Sequence, residues 1–434
     1  ICELIILDID DEKMKQMLFG LKASMVQANK HITQEEALMY IVDFAMYTPI
    51  NMEKEAGEKK KREFTVSVLE NDLFPHCKSD IQKKYFLGFM TNKLLSTSFG
   101  WILPSDRDSY VNKRIDLAGT LLNNLFRNYF NKLVKDMQKQ IVREINNGSW
   151  KSTENYLNIV NQTNVYKIVK STTIENGIKR ALATGDFGIK NTSSSKVGVA
   201  QVLNRLTYIS SLSHARRINT PIDKSGKLIP PRKLHNTQWG YICPAETPEG
   251  APVGVVKNLS YMAHITIRSN SNPLYEVMEG FITPIEDMGV KELFNKVKVI
   301  INGNWIGIAD KPYELYVSLH KKKYKGIINI YTSVVFDYTN KEIRICNEAG
   351  RPTRPLLKVK DNKLIITPEI AAKVKDKKIK WADLLVNHEV HESILEYIDP
   401  EEQNFAMIAM TRHNLNKMDK FNYTYTHCEI HPST

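Results

Sequence analysis

The sequence predicts a multidomain α+β protein, with a mainly helical first part, a loop-rich middle and a β-rich part after it. In residues 1–180, apolar side chains recur at helical spacing. From residue 181, glycines and prolines punctuate the chain, which indicates ordered loops and short strands. Residues 255–370 contain short β-branched runs bounded by turn formers, as strands do. The length of 434 residues is enough for two to four such domains.

The helical part contains two well-marked helices. Leucines and aromatic residues recur at helical spacing over residues 117–146, which predicts one long amphipathic helix. A second helix is predicted over residues 33–46, where Thr33 and Glu36 have the spacing of a capping box. The charged run at residues 58–63 predicts a solvated loop between the two.

Short strands are predicted at residues 299–301, 326–330 and 342–345, which are rich in isoleucine and valine. Residues 367–415 return to short helices, and residues 421–430 predict a final strand. No internal repeat is present in the sequence.

The bulk composition favours a reducing compartment and an anionic partner. The net charge is +12 and the pI is about 9.2, as in many nucleic-acid-binding proteins. The five cysteines are odd in number and widely spaced, unlike a disulfide framework. No apolar run approaches the ~20 residues that a membrane span needs, and the first residues do not resemble a signal peptide. The chain begins with Ile1 and ends abruptly at Thr434, so we expect both ends to be cut from a longer chain.

The common catalytic signatures do not occur in the sequence. It has no GxxxxGK[ST], HExxH or GxSxG motif and no paired CxxC. The cluster at residues 426–431 contains His, Cys and Glu, but a strand would divide them between two faces, which favours a structural role over zinc binding. Asp8, Asp10 and Asp11 are interpreted as an acidic turn that begins a helix, and not as a magnesium site.

Positive charge is concentrated in residues 181–260, which contain ten Lys and Arg residues against four acidic ones. The basic residues lie among glycines and prolines instead of along one face of a helix. Fixed cations on rigid loops are what contact with a phosphate backbone requires. A solvated loop cluster would have the same composition, so composition alone leaves both interpretations open.

A series of motifs resolves this ambiguity. Residues 231–260 read PRKLHNTQWGYICPAETPEGAPVGVVKNLS, and further collinear motifs occur between residues 106 and 433. They resemble the second-largest subunit of eukaryotic-type multisubunit DNA-directed RNA polymerases, most closely those of the RNA polymerase II kind. Val255 occupies a position where the family pattern has leucine. The Lys-, Asn- and Ile-rich composition is compatible with a large DNA virus as the source. The other motifs are at residues 106–108, 113–119, 181–185, 198–205, 214–221, 302–305, 349–355, 396–399 and 425–433.

The resemblance implies a domain order and a function. Residues 1–150 would form a mainly helical lobe, 151–265 a fork region with two fork loops, 266–370 a β-rich external domain, and 371–434 a mixed second external domain with the start of the next core segment. Lobe and fork would form one wall of the DNA cleft and support template-directed RNA synthesis. The partners would be the DNA template, the RNA–DNA hybrid, and the largest and smaller polymerase subunits, with no membrane involved.

The resemblance also indicates which residues form the site. The fork loops would be residues 186–196, near the RNA–DNA hybrid, and 219–227, where the downstream duplex opens. Pro244–Gly250 would be a scaffold in which Glu246 and Glu249 accept hydrogen bonds and Gly250 permits a left-handed turn. The residues predicted to bind nucleic acid are Lys190, Lys196, Arg216, Arg217, Lys224, Lys227, Arg232 and His235.

Two alternatives accompany these assignments. Arg216 or Arg217 could pair internally with Glu246 or Glu249, since charges beside a packed loop are often paired. Trp239 could stack on a partner, but a place in the core is the favoured interpretation.

No catalytic residue or metal ligand is predicted in the segment. The resemblance implies that the complete enzyme uses Mg2+, whose ligands come mainly from the largest subunit, and holds Zn2+ in a later part of this subunit. The segment alone is therefore expected to be inactive. The expected location is the nucleus, or a cytoplasmic viral factory or virion for a viral protein. One alternative is a stand-alone nucleic-acid-binding or assembly protein, and another is a virion protein that binds nucleic acid through charge alone.

Overall fold

The computed structural model describes residues 2–6, 9–47, 53–146, 162–188, 196–226, 228–388, 391–415 and 424–431. The chain divides into two compact units. Unit 1 consists of Ile1–Arg107, Thr266–Ala349 and Thr353–Thr434. Unit 2 consists of Asp108–Ile265 and Gly350–Pro352. None of the helices in these described ranges is long and apolar enough to cross a membrane.

Most helices lie before residue 216 and most strands after it. The helices are α1 (Cys2–Ile5), α2 (Asp11–Ala28), α3 (Gln34–Phe44), α4 (Lys54–Ser67), α5 (Asp80–Ser98), α6 (Ala118–Asn146), α7 (Gln162–Ile168), α8 (Thr172–Thr184), α9 (Tyr208–Ala215), α10 (Asn272–Met278), α11 (Pro312–Tyr324), α12 (Pro368–Lys375), α13 (Pro400–Gln403) and α14 (Arg412–Leu415). The strands are β1 (Arg217–Asn219), β2 (Val256–Asn258), β3 (His264–Ile265), β4 (Ile282–Pro284), β5 (Val297–Ile301), β6 (Asn304–Ala309), β7 (Ser333–Asp337), β8 (Glu342–Cys346), β9 (Pro352–Lys360), β10 (Lys363–Leu364), β11 (Leu395–Ile398), β12 (Ile408–Ala409) and β13 (His427–Cys428). The predicted α+β fold class is confirmed.

Both predicted helices of the first part are present. The helix α3 begins with the predicted capping box: the Glu36 amide donates to Thr33 Oγ1 at 3.2 Å, and the Thr33 amide donates to Glu36 Oε2 at 3.3 Å. The long helix is α6, from Ala118 to Asn146. The loop predicted at residues 58–63 is wrong, because this run lies inside α4. Lys, Glu and Arg are good helix formers, and Arg62 is paired with Glu35 of α3 at 2.9 Å.

A five-stranded sheet in the order β4-β6-β5-β8-β7 forms the first core of unit 1. The helices α10 and α11 bury Leu274, Met278, Leu315 and Leu319 against it. The predicted strands at 299–301 and 342–345 are β5 and β8, which pair in parallel.

The strand predicted at residues 326–330 is wrong. Gly326 has a φ of 72° and ends α11 in the left-handed conformation, with its amide donating to the Lys323 carbonyl oxygen at 3.0 Å. The β-branched residues after it therefore fill a turn, and strand β7 begins only at Ser333.

A second sheet of unit 1 is built around β9, which pairs antiparallel with β10, β11 and β13, while β12 pairs in parallel with β13. Short helices occur in residues 367–415 as predicted, and strand β11 lies among them. In residues 421–430, His427–Cys428 is the strand that the described part contains. The acidic turn predicted at the start of α2 is partly confirmed: Asp10 precedes the helix and Asp11 lies in its first turn, while Asp8 lies outside the described residues.

In unit 2, α6 and α8 pack closely through one glycine. A Cβ on Gly177 of α8 would lie 2.3 Å from the Tyr129 ring of α6, so only glycine fits at this crossing. Leu125, Ala181 and Phe187 are buried beside it. The rest of the unit is loop-rich, as predicted, and a two-stranded sheet of β1 and β2 organises it.

Candidate nucleic-acid interface

The short sheet of unit 2 is the frame of the candidate site. Arg217 of β1 lies opposite Asn258 of β2, and the pairing is antiparallel. The helix α9 leads directly into β1 and begins with a capping box of Thr207 and Ser210. The chain therefore passes from a capped helix into a strand with no free loop between them, which fixes the direction of the residues that follow.

Arg216, at the end of α9, makes its contacts with the backbone of the same unit. One terminal nitrogen of its guanidinium lies within hydrogen-bond distance of three carbonyl oxygens, those of Ser260 at 2.7 Å, Tyr261 at 3.2 Å and Ala263 at 3.3 Å. Arg216 thus holds the turn that follows β2. Its positive charge also lowers the pKa of His264, where burial is the larger cause.

Arg232 is the most highly connected cation of the site. Among the described residues, its guanidinium donates only to backbone carbonyl oxygens, and these come from two separate segments of chain. It thereby ties the loop before it to the turn that precedes β2. The acceptors are Leu228 at 3.1 Å, Lys224 at 2.9 Å and Gly226 at 3.0 Å in the loop, and Ala251 at 2.6 Å and Val253 at 2.9 Å in the turn.

Gly254 allows the turn to approach Arg232. Its φ is +69°, and a Cβ at this position would lie 2.3 Å from the Arg232 carbonyl oxygen. The Gly254 amide donates to Thr247 Oγ1 at 2.9 Å, and this hydroxyl donates to the Val256 carbonyl oxygen at 3.0 Å. The Thr247 hydroxyl thus bridges the Gly254 amide and the Val256 carbonyl oxygen and closes the turn.

Lys257 is a buried structural cation. Its side chain, in the middle of β2, donates to the carbonyl oxygens of Pro231, at 2.9 Å, and Gly254. Burial lowers the pKa of Lys257, the charge of Lys113 lowers it further, and Asp108 opposes them. Part of the positive charge of residues 181–260 is therefore held inside the unit.

The acidic scaffold predicted at Pro244–Gly250 is partly engaged. Glu246 Oε1 accepts a hydrogen bond from the Ser213 hydroxyl, and its carbonyl oxygen accepts one from Asn258 Nδ2 at 3.3 Å. Gly250 has a φ of +77°, which confirms the left-handed turn. The Glu249 carboxylate is exposed and makes no hydrogen bond or ion pair with any described residue.

The internal pairing considered for the arginines is not found. Within the described ranges, neither Arg216 nor Arg217 forms an ion pair with Glu246 or Glu249. Arg216 is engaged internally, but its acceptors are carbonyl oxygens.

His235 also has an internal contact. Its Nδ1 lies 3.1 Å from the Thr237 amide and 2.8 Å from the Thr237 hydroxyl, which in turn accepts the Tyr110 amide at 2.8 Å. The core position favoured for Trp239 is wrong, since this side chain is 56% exposed. The short 3-10 turn at Asn236–Gln238 buries Gln238, and Tyr241 is the aromatic side chain that fills the core.

Arg217 and Lys224 differ from these cations. Both are exposed, and neither side chain forms a hydrogen bond or ion pair with any part of the chain that the structure describes. Lys196 pairs with Asp116 at 3.2 Å, with both side chains partly exposed. Lys190 and Lys227 lie outside the described residues.

Lys224 lies in a turn that is closed by its neighbours. Asp223 Oδ1 accepts the Ser225 amide at 2.9 Å and the Ser225 hydroxyl at 2.7 Å, and these bonds lower the pKa of Asp223. The Gly226 amide donates to the Asp223 carbonyl oxygen at 3.3 Å. Because the turn is closed by Asp223 and also held by Arg232, Lys224 has a fixed backbone, while its ammonium group has no partner in the ranges that the structure describes.

Two further exposed cations were not assigned from the sequence. Arg205 and Lys233 have no side-chain partner among the described residues. Each lies within the basic segment, so the charge count included them. The signal that could have singled out Lys233 is its position directly after Arg232, on the segment that Arg232 fixes.

The described residues contain no group of three or more His, Cys, Asp or Glu side chains that could hold a metal ion. Three residues of the cluster at residues 426–431 have structural surroundings. His427 Nε2 lies 3.2 Å from Glu396 Oε2, and Glu429 accepts two hydrogen bonds from Arg354 at 2.7 and 2.6 Å. Cys428 is buried, which raises the pKa of its thiol.

Comparison with protein-family models matches four successive domains of one family. The matches are to RNA polymerase Rpb2 domain 2 at residues 1–116, domain 3 at 201–265, domain 4 at 299–360 and domain 5 at 381–432. The candidate interface lies in the segment that matches domain 3.

Curated relatives agree over nearly the whole chain. The chain is 40% identical to the DNA-directed RNA polymerase II subunit RPB2 of Encephalitozoon cuniculi, over 98% of the chain and 36% of that protein. It is 36% identical to the DNA-directed RNA polymerase II subunit 2 of Arabidopsis thaliana, over 100% of the chain and 35% of that protein. It is 34% identical to the DNA-directed RNA polymerase subunit 2 of Acanthamoeba polyphaga mimivirus, over 98% of the chain and 38% of that protein. The chain thus spans little more than a third of the length of these relatives.

Proposed function

Because the chain belongs to the family of second-largest subunits of multisubunit DNA-directed RNA polymerases, we propose that it forms part of one wall of the DNA cleft of such an enzyme. Residues 1–150 would be the lobe, 151–265 the fork, and 266–370 and 371–434 the external domains. The wall supports template-directed RNA synthesis by holding the template and the RNA–DNA hybrid. Polymerisation requires the largest subunit and the smaller subunits as partners, and this segment alone is inactive.

One observation supports this function most directly: exposed cations that have no side-chain partner among the described residues are mounted on a frame that other cations hold rigid. Arg217 and Lys224 are exposed and can contact an anion. Arg232 and Lys257, in contrast, donate hydrogen bonds to carbonyl oxygens of the frame. Phosphate groups are neutralised by such cations regardless of base sequence. Because the frame is already ordered, little conformational entropy is lost on binding.

The proposal therefore separates the residues of the site that contact phosphates from those that position the loops. Arg217 and Lys224 contact phosphates, together with Arg205 and Lys233. Lys190, Lys196 and Lys227 remain proposed contacts on the fork loops. The remaining residues position the loops, and they are Arg216, Arg232, His235, Lys257, Glu246 and Gly250. Glu249, being exposed, is proposed as a contact with another element of the enzyme.

The metals implied by the family are Mg2+ and Zn2+, and the described residues do not fit either ion, because no cluster of three ligands is present among them. No step of the reaction is therefore derived through a metal held by this chain. The residues described here bind and orient nucleic acid. The proposed location is the nucleus, or a cytoplasmic viral factory for a viral protein.

A stand-alone nucleic-acid-binding protein has no support from the comparisons, since the relatives described above are named as polymerase subunits. The alternative of a virion protein that binds nucleic acid through charge alone makes a different prediction. In that case every exposed cation would contribute equally to binding.

The salt dependence of DNA binding tests the proposal. The probe is a forked duplex, and its affinity is measured from low to moderate salt for the wild-type chain and the variant R217A/K224A. Two lost phosphate contacts should reduce the slope of log K against log salt by about 1.4–1.8. The control K291A/K321A removes two exposed lysines of unit 1 that have no side-chain partner among the described residues, and so matches the change in net charge.

A reduced slope for R217A/K224A and an unchanged slope for K291A/K321A would support the fork assignment. Equal losses in the two double variants would favour a charge-only binder and reject it. Circular dichroism of both variants shows whether they remain folded.

A further inference from the structure

A cavity of about 420 Å³ lies in unit 1, where α5 meets the five-stranded sheet. Its volume falls within the range of about 300–1,000 Å³ that is usual for ligand pockets. The helix α5 and the loop after it contribute Phe89 and Trp101, and β6 contributes Trp305. These elements belong to the segments that match family domains 2 and 4. The cavity is therefore at a junction between two domains, a common place for a ligand site.

Each aromatic ring of the cavity is accompanied by a lysine ammonium, at a distance typical of cation–π contacts. Such an ammonium can turn toward a carboxylate while its aliphatic stem stays against the ring. A ligand that placed an acidic group beside an inserted side chain would therefore meet positive charge. The distances from Nζ to the ring centre are 5.6 Å for Lys13 and Trp101, 5.4 Å for Lys93 and Phe89, and 5.9 Å for Lys298 and Trp305.

Hydrogen bonds order the rim that β5 and the turn between β7 and β8 form. The Lys298 amide donates to the Lys341 carbonyl oxygen at 2.9 Å. The Thr339 amide donates to Asp337 Oδ1 at 3.1 Å, which helps to close the turn before Lys341. The Lys341 ammonium donates to the neutral side chain of Asn295. Two lysines of the cavity thus extend from an ordered backbone, so a ligand would bind with little loss of conformational entropy.

Glu342 brings a buried acceptor to the lining of the cavity. Its side chain is only 6% exposed, and Arg344 donates to its Oε2 at 2.8 Å. Its Oε1 accepts no hydrogen bond from any described residue, although the Lys93 ammonium lies 3.2 Å away. Buried polar atoms are normally hydrogen-bonded. An N–H group of a ligand beside Glu342 would supply a donor to this oxygen.

The charges of the described lining favour an acidic ligand that also carries N–H groups. The lining contains four lysines against two acidic residues, Asp10 and Glu342, and is therefore positive. An acidic peptide fits this arrangement, because its carboxylates can pair with lysines while its backbone amides face Glu342. A chain of phosphates fits less well, because its backbone has no N–H group and would bring repeated negative charge to a buried carboxylate.

We propose that this cavity is the docking site for an acidic peptide segment of a partner protein, with one aromatic side chain inserted into the cavity. The inserted ring packs against Trp101 and Trp305, as aromatic side chains do at the centre of protein interfaces. Carboxylates on either side of it pair with Lys13 and Lys341 at the rim. A backbone N–H of the peptide donates to Glu342.

Isothermal titration calorimetry of the whole 434-residue chain at two temperatures tests this inference. The probe is the acetylated and amidated peptide Asp-Asp-Phe-Asp-Asp. The peptide with alanine in place of phenylalanine should bind about tenfold more weakly, because burial of the ring is lost. The peptide Asn-Asn-Phe-Asn-Asn should bind about fivefold more weakly at low salt, because the lysines lose their charged partners. Added salt should weaken binding of the acidic probe.

Two tryptophan variants test the aromatic part of the site. W101A should bind the probe about tenfold more weakly, because the inserted ring loses its neighbour. W239A removes an exposed tryptophan of unit 2 and should bind as the wild type does. Circular dichroism shows whether W101A remains folded.

The rim lysines provide a second test that does not disturb the core. K13A/K341N should bind the probe about fivefold more weakly at low salt. Asparagine is used at position 341 because Lys341 has a φ of 51°, which asparagine tolerates. The control K291A/K321A has the same change in net charge and should alter the affinity less than about twofold. R217A/K224A should also bind the peptide as the wild type does, so this site and the proposed fork contacts can fail separately.

Amide hydrogen exchange locates the bound peptide. The probe should slow exchange at residues 10–13, 101–102 and 339–342 and leave β1 and β2 unchanged. Absence of binding at about 1 mM peptide would overturn the proposal. Equal losses in K13A/K341N and K291A/K321A would overturn it as well, since binding would then follow total charge. Tighter binding of a thymidine trinucleotide than of the peptide, lost in W101A, would assign the cavity to nucleic acid instead.

Discussion

Gly254 and Arg232 are in such close contact that a Cβ on the glycine would lie 2.3 Å from the carbonyl oxygen of the arginine. The same arginine donates through its guanidinium to Ala251 and Val253, just before this glycine. Main chain and side chain of Arg232 thus hold one turn from two directions. The turn and the loop of Lys224 are therefore one rigid element, and this rigidity is what the proposed phosphate contacts depend on.

Replacing Gly254 by alanine should destabilise this element. The φ of +69° alone costs an alanine about 1–2 kcal/mol, and the overlap with Arg232 forces the backbone to move as well. Gly250 is a matched control, since its φ is +77° but nothing lies within 4 Å of an added Cβ. Hydrogen exchange of β1 and β2 should rise clearly more in G254A than in G250A. Equal increases in exchange for G254A and G250A would mean that the close contact with Arg232 adds nothing to the cost of the substitution.

Arg232 should matter for stability and Arg217 should not. We expect R232A to lower the free energy of unfolding by about 2–4 kcal/mol, because it leaves several carbonyl oxygens without donors. R232K should rescue little of this, because an ammonium cannot reproduce the planar set of guanidinium donors. R217A should change stability by less than about 0.5 kcal/mol. Urea denaturation of the three variants measures these differences, and a stable R232K would contradict the role assigned to the planar fork.

The sequence predicted the location of the site better than the role of each cation. The described residues of the basic segment form turns and short elements joined by loops, as its glycines and prolines indicated. However, Arg216 and Arg232 were expected to bind nucleic acid, and both donate to carbonyl oxygens of the chain itself. Whether a cation meets a phosphate or a carbonyl oxygen depends on which turns fold back on it. Those contacts join residues up to 47 positions apart, and no local pattern contains them.

Prediction of the secondary structure from the sequence was limited in the same way. The capping box at Thr33 was predictable because both its bonds are local. The run at residues 58–63 was mistaken for a loop because its charges suggest solvent, although the same residues favour a helix that pairs with α3. The β-branched residues 327–330 were mistaken for a strand because their composition is right, whereas Gly326 sets the direction of the chain there. Tertiary context decided both cases.

Lys257 predicts a pH effect in the alkaline range. Burial depresses its pKa, so the unfolded chain binds more protons than the folded one between the two pKa values. Its contribution to stability is therefore complete above its unfolded pKa of about 10.4 and is lost as the pH falls through the folded pKa. K257M should show a smaller rise in stability between pH 7 and pH 10 than the wild type. The exposed-site variant K291M should keep the wild-type slope, and an identical slope in K257M would contradict the prediction.

Glu402 should make the stability of the chain fall as the pH rises. This is the opposite of the Lys257 effect, and it occurs in a lower pH range. Burial raises the pKa of Glu402 to about 8, so its contribution to stability is complete below the unfolded pKa and is lost as the pH rises through about 8. The wild-type chain should lose up to about 1.4 kcal/mol per pH unit in this range from this group alone. E402Q cannot ionise, and its stability relative to the wild type should therefore increase steadily from pH 5 to pH 8.

Denaturation of wild type, E402Q and E392Q in parallel at each pH isolates this effect, since wild type and E402Q differ in this one carboxyl group. E392Q removes an exposed glutamate and should follow the wild type throughout. Parallel curves for wild type and E402Q would show that Glu402 is ionised in the folded protein. Lys323 would then contact two carboxylates, those of Glu396 and Glu402.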